Sequence, residues 1–147
     1  MTDKTVRTLS WEAVHHDLQR LADRLQDQGP WQGIVAVTRG GLVPAAILAR
    51  ALDIRLIDTV CITSYRGQEQ GPVEILKEPE RARQNKGADW LLVDDIVDTG
   101  ATVRAIRHLL PHAFFVTLYA KAETKHLIDA FRHEVDAHIW IEFPWEN

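Results

Sequence analysis

The stretch from Trp90 to Leu110 constrains the fold more than any other part of the chain. Trp90-Leu91-Leu92-Val93 is an apolar run of strand type that ends in two adjacent carboxylates, Asp94 and Asp95. A short loop with Asp98, Thr99, Gly100, Ala101 and Thr102 follows, and Val103 to Leu110 has helical character. Strand, tight loop and helix in that order form the repeating unit of an open α/β sheet. Gly100 can take positive φ, which lets successive backbone N–H groups converge on one point. A helix beginning near Thr102 adds its unpaired N–H groups and the positive end of its dipole, and Thr99 and Thr102 add hydroxyls. The loop therefore suits a phosphate monoester. The paired carboxylates would repel that phosphate, so they face something else. At a strand end they border the crevice where open α/β sheets bind ligands. There they can accept hydrogen bonds from sugar hydroxyls, and one can help hold Mg²⁺ through oxygen. Asp98, deeper in the loop, can exchange a proton with a reacting base. The competing reading is an acid pair that caps a helix or binds a metal in an unrelated α/β fold. The Gly-x-x-x-x-Gly-Lys-Ser/Thr phosphate loop is absent, which argues against an ordinary nucleotide triphosphatase.

Alternating elements extend the pattern in both directions. Trp11, Val14, Leu18, Leu21 and Leu25 recur at helical steps, so Ser10 to Gln28 is expected as an amphipathic helix with Ser10 as N-cap and Gly29-Pro30 as its stop. Gly33–Val37 is a buried strand, Leu42–Ala51 a helix with Pro44 in its first turn, and Leu56–Ile62 a strand. Gly67–Gly71 reads as a mobile polar loop, Val73–Leu76 as a small strand, and Glu78–Lys86 as a solvated connection. After the Val103 helix come a strand at Phe114–Ala120, a helical or looped stretch around Leu127 to Phe131, and a last strand at His138–Ile141. Strands and helices in alternation predict a mainly parallel sheet flanked by helices.

The bulk properties restrict the function classes. A chain of 147 residues suits one domain, residues 1–147, with a genuine core. Its hydrophobic content of 46% and charged content of 26% are those of a soluble globular protein. No apolar run approaches a membrane span, and Met1 to Leu9 lacks a signal-peptide core. Cys61 is the sole cysteine, which excludes an intrachain disulfide and fits the cytoplasm. A net charge of −4 argues against nucleic acid as a partner, and it means that an anionic ligand must be captured by local donors and a cation. His133-Glu134 with His138 misses the spacing of a zinc helix by one residue, and His108 with His112 has the helical step but is interrupted by Pro111 near the helix end, so no zinc site is expected.

Two further constellations stand at strand ends. Val37-Thr38-Arg39-Gly40-Gly41-Leu42-Val43-Pro44 again runs strand, glycine loop, helix. Two glycines allow close approach of backbone N–H groups to an anion, and Arg39 supplies a fork of donors that suits pyrophosphate. On its own the pattern fits a plain strand-to-helix turn with a surface arginine equally well. The other is Tyr119-Ala120-Lys121 with Trp140-Ile141-Glu142-Phe143-Pro144-Trp145. A lysine just past a strand can donate to a carbonyl, and a Trp face can stack on a purine. Taken alone, Lys121 reads as a surface charge and Trp140 as a core residue.

The run from Leu91 to Thr102 resembles the phosphoribosyl-pyrophosphate (PRPP) signature of the type I phosphoribosyltransferases. Trp31-Gln32-Gly33-Ile34, Thr38 to Pro44, Asp58 to Ile62, Ser64-Tyr65, Ile75-Leu76-Lys77, Lys121 and Trp140-Ile141 extend the likeness over most of the chain, toward the branch that acts on xanthine and guanine. The resemblance implies a type I phosphoribosyltransferase fold with a flexible hood loop from Ser64-Tyr65 onward and a small C-terminal base-binding element. It implies that Asp94 and Asp95 bind the ribose hydroxyls, with Mg²⁺ at Asp95, and that Asp98, Thr99, Gly100, Ala101 and Thr102 hold the ribose-phosphate. Asp98 also sits beside N7 of the purine as the catalytic residue. Arg39, Gly40 and Lys77 are placed on pyrophosphate, with the Arg39–Gly40 peptide cis. Lys121 is placed on the purine 6-oxo group, with Trp140 and Ile141 against the base. The implied activity is transfer of 5-phosphoribosyl from PRPP to N9 of xanthine, guanine or hypoxanthine by a cytoplasmic homodimer or homotetramer. Ala101 departs from the family in standing where a second glycine is common, as does Ala122 in place of a proline. Relatives also run on beyond the equivalent of Trp145 into a tail near the base site. The alternative is a non-catalytic PRPP-sensing regulator of the same fold.

Overall fold

The computed structural model describes residues 4–64 and 72–147. The expected hood loop beyond Ser64 therefore lies, from Tyr65 to Gly71, outside the described residues. Helix α1, Trp11–Gln26, starts where the Ser10 hydroxyl accepts the Ala13 N–H at 3.1 Å, and its Val14, Leu18, Leu21, Ala22 and Leu25 stripe is buried. Beyond it the Gly29–Pro30 peptide is cis, and the Trp31 indole N–H donates to Leu25 O at 3.0 Å, which folds the chain back into strand β2, Gly33–Thr38. Helix α2 spans Leu42–Ala51, with Pro44 in its first turn where a missing N–H is harmless.

Strands β3 (Ile57–Ser64), β4 (Val73–Lys77), β5 (Trp90–Val97), β6 (Phe114–Lys121) and β7 (Ala130–Val135) complete a six-stranded sheet of order β4-β3-β2-β5-β6-β7. All neighbours pair in parallel except β3 with β4. Side chains alternate across it. Ile34 and Ala36 of β2 and Leu91 and Val93 of β5 pack under α1 and α2. Val35, Val37, Trp90 and Leu92 pack on the other face against Val103, Ile106 and Leu110, in and just beyond helix α4, Ala101–Leu109. Near-continuous apolar runs in β2 and β5 follow from burial on both faces.

Strand order reverses between β2 and β5: the chain leaves β2 toward β3 and β4, then returns to the far side of β2 as β5. The carboxyl ends of those two strands flank the opening at which open α/β sheets bind ligands. The Arg39-Gly40 loop leaves one of them and the acid pair lies near the end of the other.

Several expectations are corrected. β5 does not stop at Val93 but runs through Asp94 and Asp95 to Val97, because Asp94 still pairs with Thr117 and Ile96 with Tyr119. A strand, β7, begins at Ala130, inside the stretch that was ambiguous between helix and loop, and runs on to Val135. Only Lys125–Leu127 forms a 3₁₀ turn there. The connection from Glu78 holds a one-turn helix, α3 (Glu80–Arg83), that buries Ala82. The last strand, β8 (Ile139–Glu142), lies outside the main sheet. It pairs in parallel with β1, Thr5–Thr8, a strand hidden in the sequence because all of its residues are exposed and show no apolar alternation. No described helix is long and apolar enough to cross a membrane.

Candidate active site

A crevice of about 690 Å³ opens at the switch point. Arg39 and Gly40 line it from the end of β2, Asp94 and Asp95 from β5, and Thr99, Ala101 and Thr102 from the loop into α4. A smaller adjoining hollow of about 160 Å³ lies against Asp98, Thr99 and Gly100. Nine of the thirteen residues singled out in the sequence therefore converge at the switch point, from the end of β5 and the loops that follow two neighbouring parallel strands.

The first loop is closed by backbone: Gly41 N–H donates to Val37 O at 2.7 Å and Leu42 N–H to Arg39 O at 3.1 Å. The cis peptide in it joins Thr38 to Arg39, one bond earlier than the resemblance implied. A Cβ on Gly40 would lie 2.5 Å from Asp95 Oδ2, so this glycine is what lets the anion loop and the acid pair touch. In the second loop Gly100 has φ of +86°, which a side chain would strain. The Thr99 hydroxyl accepts the Ala101 N–H at 3.3 Å at the start of α4, whose N-cap residue, Gly100, has no side chain to cap it.

Asp94 and Asp95 are held in place by the strand itself. Asp94 Oδ1 accepts the Asp95 N–H and Asp95 Oδ1 the Ile96 N–H, each at 2.8 Å. Burial raises the pKa of both above the ordinary carboxylate value, that of Asp94 strongly and with added repulsion from Asp95. Neither has a cationic partner among the described residues. Two residues not singled out beforehand also line the crevice, Trp145 and Glu146, in the 3₁₀ turn Pro144–Glu146. Trp145 stacks on Phe143 with ring centroids 4.8 Å apart. Its buried indole N–H lacks a partner of normal hydrogen-bond geometry, yet lies close enough to Asp95 to oppose the rise in that carboxyl's pKa. Burial, and secondarily the charges of Asp95 and Glu142, raises the Glu146 carboxyl as well. Only the run Phe143-Pro144-Trp145 hinted at this turn in the sequence. Its position depends on β8 pairing with β1.

The described lining thus sets three carboxylates, Asp94, Asp95 and Glu146, against one guanidinium, Arg39. An anionic ligand entering such a crevice needs a cation with it. Half-buried, mutually repelling carboxylates with free oxygens suit a hard divalent ion, and Asp95 with Asp94 would hold it. No cluster of three or more metal-ligating side chains exists among the described residues, so ligand and water oxygens would complete the shell.

The remaining four residues lie elsewhere. Lys77 is not brought to the crevice. β4 runs antiparallel to β3, so Val73 meets Ser64 at the crevice end while Lys77 lies opposite Cys61, farther down. Its ammonium donates to Asp58 Oδ1 and Thr59 O, both at 2.8 Å. The amine also lowers the Asp58 pKa, against the effect of burial. Lys121 is 7% exposed, not a surface charge. Its ammonium donates to the carbonyls of Asp136, Ala137 and Ile139 in the turn into β8. Trp140 is 40% exposed rather than core, with Lys4 Nζ 4.9 Å above its ring. The Ile141 side chain is buried in the core under α1, so only its backbone could face a ligand.

Comparison with known proteins agrees with this geometry. Residues 9–146 match the phosphoribosyl transferase domain family. The chain is 51% identical over 139 residues to the xanthine-guanine phosphoribosyltransferase of Chromohalobacter salexigens, covering 95% of this chain and 83% of that protein. It is 48% identical over 150 residues to the protein of the same name from Desulfotalea psychrophila, covering 100% and 91%. Among solved structures it resembles a purine phosphoribosyltransferase from Pyrococcus horikoshii, with a TM-score of 0.81, 27% identity and coverage of 97% and 95%. The Helicobacter pylori xanthine-guanine-hypoxanthine phosphoribosyltransferase has the same fold, with a TM-score of 0.78 at 24% identity and coverage of 97% and 94%. The chain belongs to the phosphoribosyltransferase family.

Proposed function

We propose that this protein is a purine-salvage enzyme that transfers the 5-phosphoribosyl group of PRPP to N9 of a 6-oxopurine, xanthine, guanine or hypoxanthine, and releases pyrophosphate. One phosphoribosyltransferase domain carries the reaction. The observation that carries the reading is the meeting of two anion loops and a half-buried acid pair in one crevice at the switch point. PRPP requires that combination: a pyrophosphate site, a ribose site and a 5′-phosphate site at fixed spacing. The names of relatives about half identical to this chain support the same substrate class.

In this reading Thr99, Ala101 and Thr102 receive the 5′-phosphate at the start of α4, where unpaired N–H groups and the helix dipole favour an anion. Asp94 and Asp95 orient the ribose hydroxyls. Arg39 and the Gly40 backbone receive the pyrophosphate and stabilise the charge that builds on it as the C1–oxygen bond breaks. Asp95, with Asp94, would hold Mg²⁺, which when bound neutralises part of the charge on the leaving pyrophosphate. Asp98, exposed on its loop beside the smaller hollow, takes the N7 proton as N9 forms the new bond. Lys121 donates to the 6-oxo group by exchanging one of its three N–H donors from a loop carbonyl to the base. Trp140 stacks on the purine, and Ile141 contributes backbone. Lys77, bound to Asp58, has no part in this scheme. In the same reading the enzyme is cytoplasmic and works as a homodimer or homotetramer.

The deciding experiment measures pyrophosphate release from PRPP and Mg²⁺ with xanthine, guanine, hypoxanthine and adenine in parallel. Release with 6-oxopurines and not with adenine is expected. PRPP binding without release for any base would replace the enzyme with a PRPP-sensing regulator.

A further inference from the structure

The loop that would grip the 5′-phosphate is held from behind by two side chains outside the scheme above. The Thr124 hydroxyl donates to Asp98 O at 2.8 Å, with Val97 O at 3.5 Å. Arg104 Nη1 donates to Thr99 O, the next carbonyl, at 3.0 Å. Thr124 is itself 8% exposed, a buried hydroxyl whose partners are these loop carbonyls. The same segment presses on the loop at a further point, since Leu127 Cδ1 would lie 2.4 Å from a Cβ on Gly100.

Peptide planarity converts these clips into an effect on the opposite side of the loop. In a trans peptide, the N–H of residue i+1 points away from the C=O of residue i. Fixing the Asp98 carbonyl toward Thr124 fixes the Thr99 N–H away from it, and fixing the Thr99 carbonyl toward Arg104 does the same for the Gly100 N–H. Neither amide donates to a protein acceptor among the described residues. Two adjacent free amides with their orientation set by outside clips form an anion-binding concavity that needs no rearrangement when an anion arrives. The other end of the Thr124 segment is tied to the base side, because Thr124 N–H donates to Lys121 O at 3.0 Å.

We propose that Thr124 and Arg104 are positioning residues that preset the Thr99 and Gly100 amides for the 5′-phosphate, with Thr124 also fixing this loop against the strand that bears Lys121. The inference rests on the crevice being the phosphoribosyl site. The test is calorimetric titration of the full chain with ribose 5-phosphate and, separately, with Mg²⁺-pyrophosphate, for the wild type, Thr124→Val, Thr124→Ser and Arg104→Met.

Thr124→Val keeps the shape and removes the donor. It should weaken ribose 5-phosphate about tenfold, the size of one lost hydrogen bond to a buried carbonyl, and leave pyrophosphate within about twofold. In turnover assays the PRPP KM should rise by the same factor, with the purine KM unchanged. Thr124→Ser restores the hydroxyl and should recover to within about twofold of wild type, while Arg104→Met, at an exposed position, should cost about threefold. Equal loss of both ligands, or unchanged ribose 5-phosphate affinity in Thr124→Val, overturns the proposal. If Thr124→Val does not fold, unchanged affinity in Arg104→Met overturns it instead. Failure of the wild type to bind ribose 5-phosphate would sink the phosphoribosyl reading itself, which is a separate result from failure of the clips.

Discussion

The two halves of the site are built on opposite plans. In the proposed scheme, the phosphate and ribose half comes from the end of β5 and from the short loops after β2 and β5, and it leaves its polar groups free. The Thr99 and Gly100 amides lack protein acceptors among the described residues, and the acid pair lacks a cation. The base half of that scheme comes from β6, β8 and the β1 strand that pairs with β8, and it satisfies itself: the buried Lys121 ammonium is bound to the carbonyls of Asp136, Ala137 and Ile139, in the turn before β8 and at its first residue. One half is preorganised and open, whereas the other must exchange an internal bond for a ligand bond. Substitutions in the first should therefore act on chemistry and PRPP at little structural cost. Those in the second should disturb folding and the purine together.

The contrast is tested most severely at Asp98. Its side chain is exposed and its backbone is held independently by Thr124, so Asp98→Asn should leave the melting temperature within a degree or two. Turnover should fall by about 10²–10³-fold, the usual range for a lost acid–base group, with PRPP KM nearly constant. Unchanged turnover removes Asp98 from proton transfer. Gly40→Ala comes next. The added methyl meets the Asp95 carboxylate at 2.5 Å, a side-chain obstacle and not a backbone one, so the fold should accommodate it at the expense of the site. A loss of roughly tenfold or more in kcat/KM, with a melting temperature nearly unchanged, is expected on the scale of one displaced contact. Major unfolding would show that this loop is structural first.

In the base half the order of effects should reverse. Lys121→Met removes the donor from three carbonyls at a site 7% exposed, which should cost about 1–3 kcal/mol of stability, together with a raised purine KM and an unchanged PRPP KM. A stable Lys121→Met protein with normal purine KM would dissolve the distinction between the halves.

What the sequence disclosed follows the same division. The Trp90–Thr102 unit was legible because its strand, loop and helix start are contiguous and each position has a local physical reason. The acid pair, the glycine with positive φ and the hydroxyls are all explained within one turn of chain. Taken alone, Lys121 and Trp140 read the wrong way round, one as surface and one as core, and only the family resemblance placed them at the base, because their surroundings are set by other segments of the chain. Lys121 is buried by the turn before β8, and Trp140 is left exposed because β8 pairs with β1 and not with the main sheet. Lys77 was misplaced for a topological reason: an antiparallel strand carries its last residue away from the end at which it began. Thr124 and Glu146 gave no periodic or motif signal, and Trp145 only its place in the Phe143-Pro144-Trp145 run, because their roles depend on which loop carbonyl or carboxylate they meet.

The open half should also show its tension in stability. Burial holds the Asp94 and Asp95 pKa values above ordinary, so between the unfolded value near 3.8 and the folded value the native state keeps protons that the unfolded chain has released. Stability from these groups is therefore present at low pH and is lost as pH rises through that window. Asp94→Asn removes the titrating group while its amide oxygen can still accept the Asp95 N–H. It should raise the melting temperature of the ligand-free protein by about 3 °C at pH 7, roughly 1 kcal/mol, and by less at pH 4. A gain that is larger at pH 4 would contradict the assigned direction.

The smallest effect, and the one that isolates the base from the fold, belongs to Trp140. Because the ring is 40% exposed and contacts Lys4 through its face, Trp140→Leu gives up little packing. Its stability should change by less than about 0.5 kcal/mol, as at other surface positions. If the ring stacks on the purine, the variant should raise the KM for guanine and xanthine by about threefold to tenfold, the equivalent of one aromatic stacking contact, and leave ribose 5-phosphate affinity untouched. Lys121→Met and Trp140→Leu then separate what the wild-type base half combines. Both weaken the purine, but only the lysine variant weakens the fold. If Trp140→Leu leaves every purine KM as it was, the stacking surface lies elsewhere, and Trp145, already in the crevice beside Asp95, is the aromatic ring to substitute next.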